Sequence, residues 1–322
     1  MMTIPAMRVQ PLIFRCGSLP SFQAMQQGHE MDLILPPQPQ RPYYFAPLLP
    51  AALSDPLRLH RLGIQLMGET RQHFQRDDLV LVLLPDSATP YNDRLADLEA
   101  LQRLGLEALQ DYAVHLYPWG TCAWALCQRR LQQALQQGKT TWIVALASPR
   151  PTEDDICRAP TRHYCEGVAL LKVTPAQHGM VCCWQGYDSH LASQASGNSD
   201  QALAARLASE PWAAQSISQI VSSPTLTGWA PYYHALRPYL SPSLDTACPF
   251  AHYGELGTLG GLARALIIQQ QWQRPGRPGV MPARVALQLD TLGRLTSTLL
   301  WRSHTAAVPR SNTTDHSGVH HG

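Results

Sequence analysis

Two short segments of this chain are apolar almost throughout, namely residues 79–84 (LVLVLL) and residues 141–147 (TWIVALA). Such runs are typical of strands buried on both faces, as in a parallel sheet that helices cover on each side. Apolar residues recur at helical spacing over residues 55–76, 91–111 and 120–138. Because these helices alternate with short apolar strands, the sequence predicts an α/β architecture with helices packed on the sheets.

The composition favours a large folded interior. Of the 322 residues, 45% are apolar and 15% are charged, whereas a typical soluble domain carries about 25% charged residues. A disordered chain needs low hydrophobicity and high net charge, and this composition excludes that class for most of the length. The formal net charge of +2 gives no electrostatic basis for binding nucleic acid, so we expect no nucleic-acid partner.

The sequence predicts a cytoplasmic protein without a membrane span. No run of apolar residues reaches the roughly 18 that suggest a membrane helix. The first residues lack the basic segment, apolar core and small-residue cleavage site of a secretory signal. The eight cysteines are spread along the chain, and we expect reduced thiols that pack as small apolar side chains.

Strand patterns continue through the second part of the chain. Residues 167–173 and 180–184 are predicted as strands that pair with each other, and residues 284–290 and 294–301 as an antiparallel hairpin. Between these pairs, residues 193–200 are rich in glycine, serine and asparagine and are predicted to link two halves. The predicted division is an N-terminal half over 1–192, a C-terminal half over 193–302 and a disordered tail over 303–322.

Two segments are similar to motifs of a known family. Residues 120–148 (GTCAWALCQRRLQQALQQGKTTWIVALAS) resemble the nucleophile region of β-ketoacyl synthases, which belong to the thiolase superfamily. Residues 253–271 (YGELGTLGGLARALIIQQQ) resemble the family's glycine-rich GHxLGAAG segment and the apolar helix after it. The resemblance implies a thiolase-like, pseudo-duplicated αβαβα layered sandwich, which agrees with the two halves.

The resemblance also implies where a nucleophile would lie. In an active condensing enzyme of this family, the catalytic cysteine stands at a helix N-terminus, where the helix dipole favours the thiolate. The match puts Thr121 at that position, with Cys122 one residue further on. Cys122 is therefore the candidate nucleophile, and the alternative is a small buried thiol at the start of a helix.

Both positions that match the family's catalytic histidines lack one. The first family histidine lies in an HGT motif, and the matching residues 217–225 are ISQIVSSPT. The second should precede the pair Leu-Gly, where Gly254 stands instead. His252 lies two residues earlier and is the candidate partner of Cys122 in a residual dyad. Two other histidines are candidates to replace those missing, His163 and His190.

Other combinations of reactive residues are weaker. Cys248 lies in the string DTAC, which often surrounds a ketosynthase nucleophile, but this string precedes the glycine-rich segment and opens no small-residue helix. A dyad of Cys248 with His252 is an alternative to the Cys122 dyad. One further set of thiols and a histidine has spacings that fit no common zinc module: Cys157, His163, Cys165, Cys182 and Cys183. We therefore expect no metal and no cofactor.

The missing histidines predict that the fold persists while condensing activity is lost. The chain resembles stand-alone, divergent ketosynthase-like proteins from bacterial gene clusters for type VI secretion. That resemblance implies an accessory adaptor or co-chaperone whose partner is an effector-loading protein or an effector, with a homodimer as a further arrangement. The alternative is a divergent acyltransferase or β-ketoacyl synthase that uses Cys122 on acyl-carrier-protein or acyl-coenzyme A thioesters.

Overall fold

A computed structural model describes residues 5–34, 43–50, 53, 55–85, 94–148, 163–189, 217–223, 236–273, 285–292 and 295–305. The strands in these residues are β1 (Ala6–Cys16), β2 (Tyr44–Ala46), β3 (Leu79–Leu83), β4 (Ala113–Tyr117), β5 (Thr141–Ala147), β6 (His163–Cys165), β7 (Gly167–Ala176), β8 (His178–Ser189), β9 (Ile217–Ser222), β10 (Leu240–Ala247), β11 (Val285–Leu292) and β12 (Leu295–Thr305). The α-helices are α1 (Phe22–Gln26), α2 (Asp55–Thr70), α3 (Arg94–Arg103), α4 (Ala123–Gln136) and α5 (Leu259–Gln273).

Ten strands form two groups of five with the same internal order. The complete order is β10-β9-β11-β12-β8-β1-β7-β5-β3-β4, and β2 pairs with β6 in a small separate sheet. The two groups join at β1 and β8, which meet at the pair Met7–Met180. We call β1, β3, β4, β5 and β7 the first group and β8 to β12 the second group. Counted inward from the outer strands β4 and β10, the first three strands of each group are parallel, and the last two pairings are antiparallel. This repeated order is the pseudo-duplication that the sequence predicted.

Two helices form a layer between the two groups of strands. Both α4 and α5 contact strands of each group, whereas α2 packs on β5 and β7 from the other side of the first group. The described elements are therefore stacked in four layers, namely α2, the first group of strands, the helices α4 and α5, and the second group of strands.

The faces of β3 and β5 explain their unbroken apolar sequences. On β3, Leu81 belongs to the central core around α4 and α5, and its neighbour Val82 belongs to the outer core beneath α2. On β5, Ile143 and Val144 divide in the same way. Since successive side chains of a strand point to opposite faces, both faces need apolar residues. The predicted strands at 79–84 and 141–147 are confirmed.

The predicted pairing of residues 167–173 with 180–184 is wrong. Both segments are strands, but β1 lies between β7 and β8 in the sheet. The chain passes closely beside β1 as it enters β8, because a Cβ atom on Gly179 would lie 2.2 Å from the carbonyl oxygen of Met7. The predicted hairpin at the end of the chain is confirmed, since β11 pairs with β12 up to Leu292–Leu295.

The structure places one strand differently from the predicted division. Strand β8 precedes residue 192 but pairs with β12 of the second group. The boundary itself stays a prediction, because residues 190–216 lie outside the described part of the chain. Strand β12 continues to Thr305, past the predicted start of the tail at residue 303, and residues 306–322 lie outside the description.

A glutamine side chain completes the hydrogen bonding of β1 where β1 and β8 separate. The backbone N–H of Val9 donates to Oε1 of Gln269 at 2.7 Å, and Nε2 of Gln269 donates to the Val9 carbonyl at 2.6 Å. Gln269 lies on α5 and is buried. The amide group thus takes the place of a neighbouring strand, and it fixes α5 against the first group.

Replacing this glutamine is expected to destabilise the fold. In Gln269→Leu the N–H and C=O of Val9 lose their partner while remaining buried, at a cost of about 2–3 kcal/mol in the free energy of unfolding. Urea unfolding followed by circular dichroism measures this loss. The matched control is Gln270→Leu, since Gln270 makes an exposed side-chain bond to Gln26. If the two variants had the same free energy of unfolding, the hydrogen bonds between Gln269 and the Val9 backbone would not stabilise the fold as described.

Candidate functional site

The candidate site lies where α4 begins. A 3-10 turn over Gly120–Cys122 leads into α4. The turn is fixed to the carboxyl end of β3, because the N–H of Gly120 donates to the carbonyl of Leu84 at 2.9 Å. Gly120 has a positive φ of 50°, a conformation that glycine adopts without strain. Thr121 and Cys122 are both buried.

The start of α5 faces this turn at very short range. A Cβ atom on Gly261 would lie 2.8 Å from the carbonyl oxygen of Thr121 and 3.0 Å from Cβ of Trp124. A side chain at this position would therefore push the two helices apart. The consecutive glycines at 260 and 261 allow the two helix starts to come together at the centre of the molecule.

Cys122 has the environment of an unreactive thiol. It is fully buried, and its Sγ donates to the backbone carbonyl of Asp290 at 3.6 Å. Burial raises the pKa of Cys122 to about 12, with a smaller opposing effect from a hydrogen bond to Ser297. Reactive cysteines instead have a lowered pKa and partial exposure. Although Cys122 stands at a helix N-terminus, as predicted, burial outweighs the helix dipole.

A buried ion pair occupies the position beside Cys122. Nε of Arg264 on α5 donates to Oδ1 of Asp290 on β11 at 2.5 Å. Nε2 of Gln288 donates to Oδ2 of Asp290 at 2.7 Å and to the Gly261 carbonyl at 2.9 Å. Burial raises the pKa of Asp290, and the attraction of Arg264 opposes this. The network links α5 to β11.

Sequence reasoning missed this network. Its signal is present in the sequence, because Arg264 is the one charged residue of α5 and lies in the apolar part of that helix, while Gln288 and Asp290 interrupt an apolar strand. A third contact joins the next strand, since Nε1 of Trp301 donates to Oε1 of Gln288 at 3.0 Å. The rings of Trp124 and Trp301 stack with centroids 6.2 Å apart. Charged and aromatic side chains thus fill the space around the turn.

The position that matches the second family histidine has no room for a side chain. Gly254 has φ 77° and ψ −141°, a region that is essentially restricted to glycine. A Cβ atom there would lie 2.3 Å from the carbonyl oxygen of His163. The backbone is held at this distance because the N–H of Glu255 donates to the same carbonyl at 2.7 Å. A histidine at position 254 is therefore incompatible with this loop.

The position that matches the first family histidine lies at the end of β9. Ser223 follows the strand and is buried, and its N–H donates to the carbonyl of Leu289 at 2.9 Å. The rest of the matching segment, from residue 224, lies outside the described residues.

The two residues of the predicted dyad have different environments. His252 is exposed on the 3-10 turn Ala251–Tyr253, and the centroid of its ring lies 3.9 Å from that of the Tyr253 ring. Cys122 is buried at the start of α4. The alternative nucleophile Cys248 is exposed and makes a hydrogen bond with Ser222.

The remaining candidates are distributed as follows. His163 on β6 packs its ring edge-on against Tyr44 at 5.6 Å, and His190 and Cys157 lie outside the description. Cys165 donates to the carbonyl of Tyr253 at 2.9 Å, and Cys182 donates to that of Trp184 at 3.4 Å. Within the described residues, no three His, Cys, Asp or Glu side chains come together to hold a metal ion.

The burial of Cys122 leads to a prediction about its reactivity. With a pKa of about 12, only about one thiol in 10⁵ is ionised at neutral pH. We expect iodoacetamide to alkylate exposed Cys248 in the folded protein and to leave Cys122 unmodified, as measured by peptide mass spectrometry. Because Cys122 is fully buried, its alkylation should require unfolding and become rapid in urea. Rapid modification of Cys122 at neutral pH, matching that in urea, would contradict this.

The comparison with solved structures agrees with this fold. No protein-family model and no curated protein matches the sequence. Among solved structures, the ketosynthase from module 6 of the bacillaene synthase of Bacillus subtilis 168 is 11% identical, with a TM-score of 0.63 over 93% of this chain and 72% of that one. An oxazolomycin ketosynthase domain from Streptomyces albus JA3453 is 9% identical, with a TM-score of 0.63 over 94% of this chain and 75% of that one.

A further solved structure is matched over nearly its whole length. The ishigamide ketosynthase/chain length factor is 13% identical, with a TM-score of 0.56 over 93% of this chain and 99% of that one. At such identities the similarity is one of fold. The chain therefore has the thiolase-like fold of β-ketoacyl synthases, as the sequence motifs predicted. None of the described helices is both long and apolar enough to cross a membrane.

Proposed function

We propose that this chain is a catalytically inactive ketosynthase-like protein that serves as an accessory adaptor or co-chaperone in the loading of type VI secretion effectors. The main support for the loss of catalysis is the backbone of the loop at Gly254, which leaves no room for the histidine side chain of an active enzyme. The buried, neutral Cys122 supports the same conclusion. The proposed secretion role rests on the resemblance to stand-alone ketosynthase-like proteins. A protein with this role would act in the bacterial cytoplasm.

An adaptor needs a binding surface, and the candidate is the edge formed by β4, which is the last strand of the sheet among the described residues. Strand β4 is paired on one side with β3 and ends the sheet in the described structure. Its sequence AVHLY is mostly apolar and half-buried. An apolar edge strand presents unpaired N–H and C=O groups to another chain. The opposite edge, β10, is protected by Pro242 and by exposed polar residues.

A large exposed aromatic residue lies beside this edge. Trp119 follows β4 and is 40% exposed. Tryptophan is enriched among the residues that dominate binding energy at protein interfaces. We propose that β4 and Trp119 together bind the effector-loading protein or effector, or a second copy of this chain in a homodimer.

The test is affinity purification of the tagged chain from its native host, with mass spectrometry of the proteins that accompany it. Secretion adaptors or effectors should copurify with the wild-type protein, and Trp119→Ala should reduce their recovery at least about tenfold. The matched control is Tyr187→Ala, because Tyr187 is 59% exposed and lies on β8 of the other group. Absence of secretion components from the wild-type sample would contradict the proposal.

The alternative function is acyl transfer by Cys122 from acyl-carrier-protein or acyl-coenzyme A thioesters. It is favoured by the position of Cys122 at the start of α4, which matches the family's nucleophile to within one residue. In this case His252 would have to move inward and take the proton of Cys122, whose thiolate would attack the acyl carbonyl and form a new thioester. The carrier's carbon–sulfur bond would break, and the carrier would leave as a free thiol after receiving the proton. A mass increase of one acyl group, absent in Cys122→Ser, would support it, and no adduct with any acyl thioester would exclude it.

A further inference from the structure

Three sulfur atoms from separate segments of the chain meet beneath the surface. Sγ of Cys165, at the end of β6, lies 3.4 Å from Sδ of Met31, in the segment after α1. The side chain of Cys16, the last residue of β1, is in hydrogen-bonding contact with that of Cys165. Met31 also covers the backbone next to Cys16, since a Cβ atom on Gly17 would lie 2.8 Å from Sδ of Met31.

The cluster is closed to water but close to the surface. Cys16 and Cys165 are buried, and Met31 is only partly buried and packs over them. Methionine is flexible, so its side chain can move aside to admit a small ion. Sγ of Cys165 also donates to the carbonyl of Tyr253 at 2.9 Å, and the Glu255 carboxylate is near enough to act on the thiol electrostatically.

The ligand set determines which ion would fit. Thiolate and thioether sulfurs are soft ligands that select copper(I), whereas zinc sites use four Cys, His or carboxylate ligands. The described residues bring no three such zinc ligands together, and methionine contributes the third sulfur here. We propose that Cys16, Cys165 and Met31 bind one copper(I) ion in a three-coordinate, all-sulfur site.

The binding step balances without any oxidation or reduction. Each cysteine forms a sulfur–copper bond and releases its proton to solvent, while Sδ of Met31 donates a lone pair. The copper stays in the +1 state, so the occupied site carries one net negative charge. Metal–sulfur bonds of about 2.3 Å place trigonal sulfurs about 4 Å apart. Sγ of Cys165 and Sδ of Met31 therefore need to separate by a few tenths of an ångström.

The test measures copper(I) binding to the reduced full-length chain without oxygen, in competition with a chromogenic copper(I) chelator. The background carries Cys248→Ser, Cys183→Ser and Cys157→Ser, because Cys248 is exposed and Cys183 partly exposed, and Cys157 lies outside the described residues. We expect one copper(I) per chain and a thiolate-to-copper absorption band in the ultraviolet. Met31→Leu, which conserves volume, should weaken binding at least about tenfold, and Cys165→Ser should abolish the band.

The matched control is Cys127→Ser, because Cys127 is also fully buried but donates to the carbonyl of Trp124 at 3.2 Å. This variant should bind copper(I) as the background protein does. Circular dichroism checks that each variant is folded, and Met31→Leu provides the decisive comparison if Cys165→Ser is not. The proposal is overturned if the background protein does not take up one copper(I), or if Met31→Leu binds it equally well.

Discussion

Replacing Glu166 by glutamine is expected to lower the free energy of unfolding by about 3–5 kcal/mol. Glu166 and Arg58 form a fully buried ion pair, in which Nε and Nη2 of Arg58 donate to the two carboxylate oxygens at 2.6 and 2.7 Å. The substitution leaves the guanidinium charged, buried and without its counter-ion. Urea unfolding followed by circular dichroism measures the change.

The pair also organises the segment around it. Oε2 of Glu166 accepts from the N–H groups of Leu48 and Leu49, each at 2.9 Å. Arg58 in turn donates to the carbonyls of Leu49, Pro50 and Leu53. One ion pair therefore holds residues 48–50 against α2 and the start of β7, and its loss is expected to affect this whole segment.

A second, exposed ion pair in the same chain provides the control for the effect of burial. Arg15 and Glu69 make the same two-bond contact at 2.8 and 2.6 Å, but their side chains are 31% and 37% exposed. Exposed pairs contribute about 0–1 kcal/mol, so Glu69→Gln is expected to have an effect within that range. If Glu166→Gln costs no more than Glu69→Gln, the buried pair does not stabilise the fold as described.

Substituting Gly254 by alanine is expected to cost about 3–5 kcal/mol, the combined effect of backbone strain and overpacking. The φ of 77° strains any residue with a side chain, and the new Cβ would meet the His163 carbonyl at 2.3 Å. Chemical denaturation measures the loss. The same reasoning predicts that Gly254→His does not restore the family histidine, since it adds a larger side chain at the same point.

A substitution at Gly28 distinguishes the contribution of backbone strain from that of overpacking. Its φ is 72°, but a Cβ atom there has no heavy atom within 4 Å. Gly28→Ala therefore introduces strain without a clash and is expected to cost about 1–2 kcal/mol. Similar losses for the two variants would show that the contact with His163 is relieved by a small movement, and that position 254 is open to a side chain.

The sequence predicted those parts of the fold that are buried on both faces. Strands β3 and β5 stand out because each face needs apolar residues. The edge strands β4 and β10 were missed, since half-buried sequences such as AVHLY and LSPSLDTA lack an unbroken apolar run. The pairing of β7 with β1 was also missed, because partners distant in the chain leave no local signal.

The sequence predicted that Cys122 stands at the start of a helix, but it did not predict the surroundings of the thiol. The motif at residues 120–148 placed Cys122 at the start of a buried helix, where the structure has it. Whether the thiol is reactive depends on its burial by α5, β11 and β12, which a single sequence does not specify. The ion pair of Arg264 with Asp290 likewise joins residues whose proximity exists only in the folded chain.

The central position of α4 and α5 has a consequence for how the molecule comes apart. Each helix is covered by strands of both groups, so the largest apolar core is shared between the two halves. A break between the halves would expose the largest core of the described structure to water. We therefore expect the two halves to unfold together, because separating them would expose the apolar core that they share around α4 and α5.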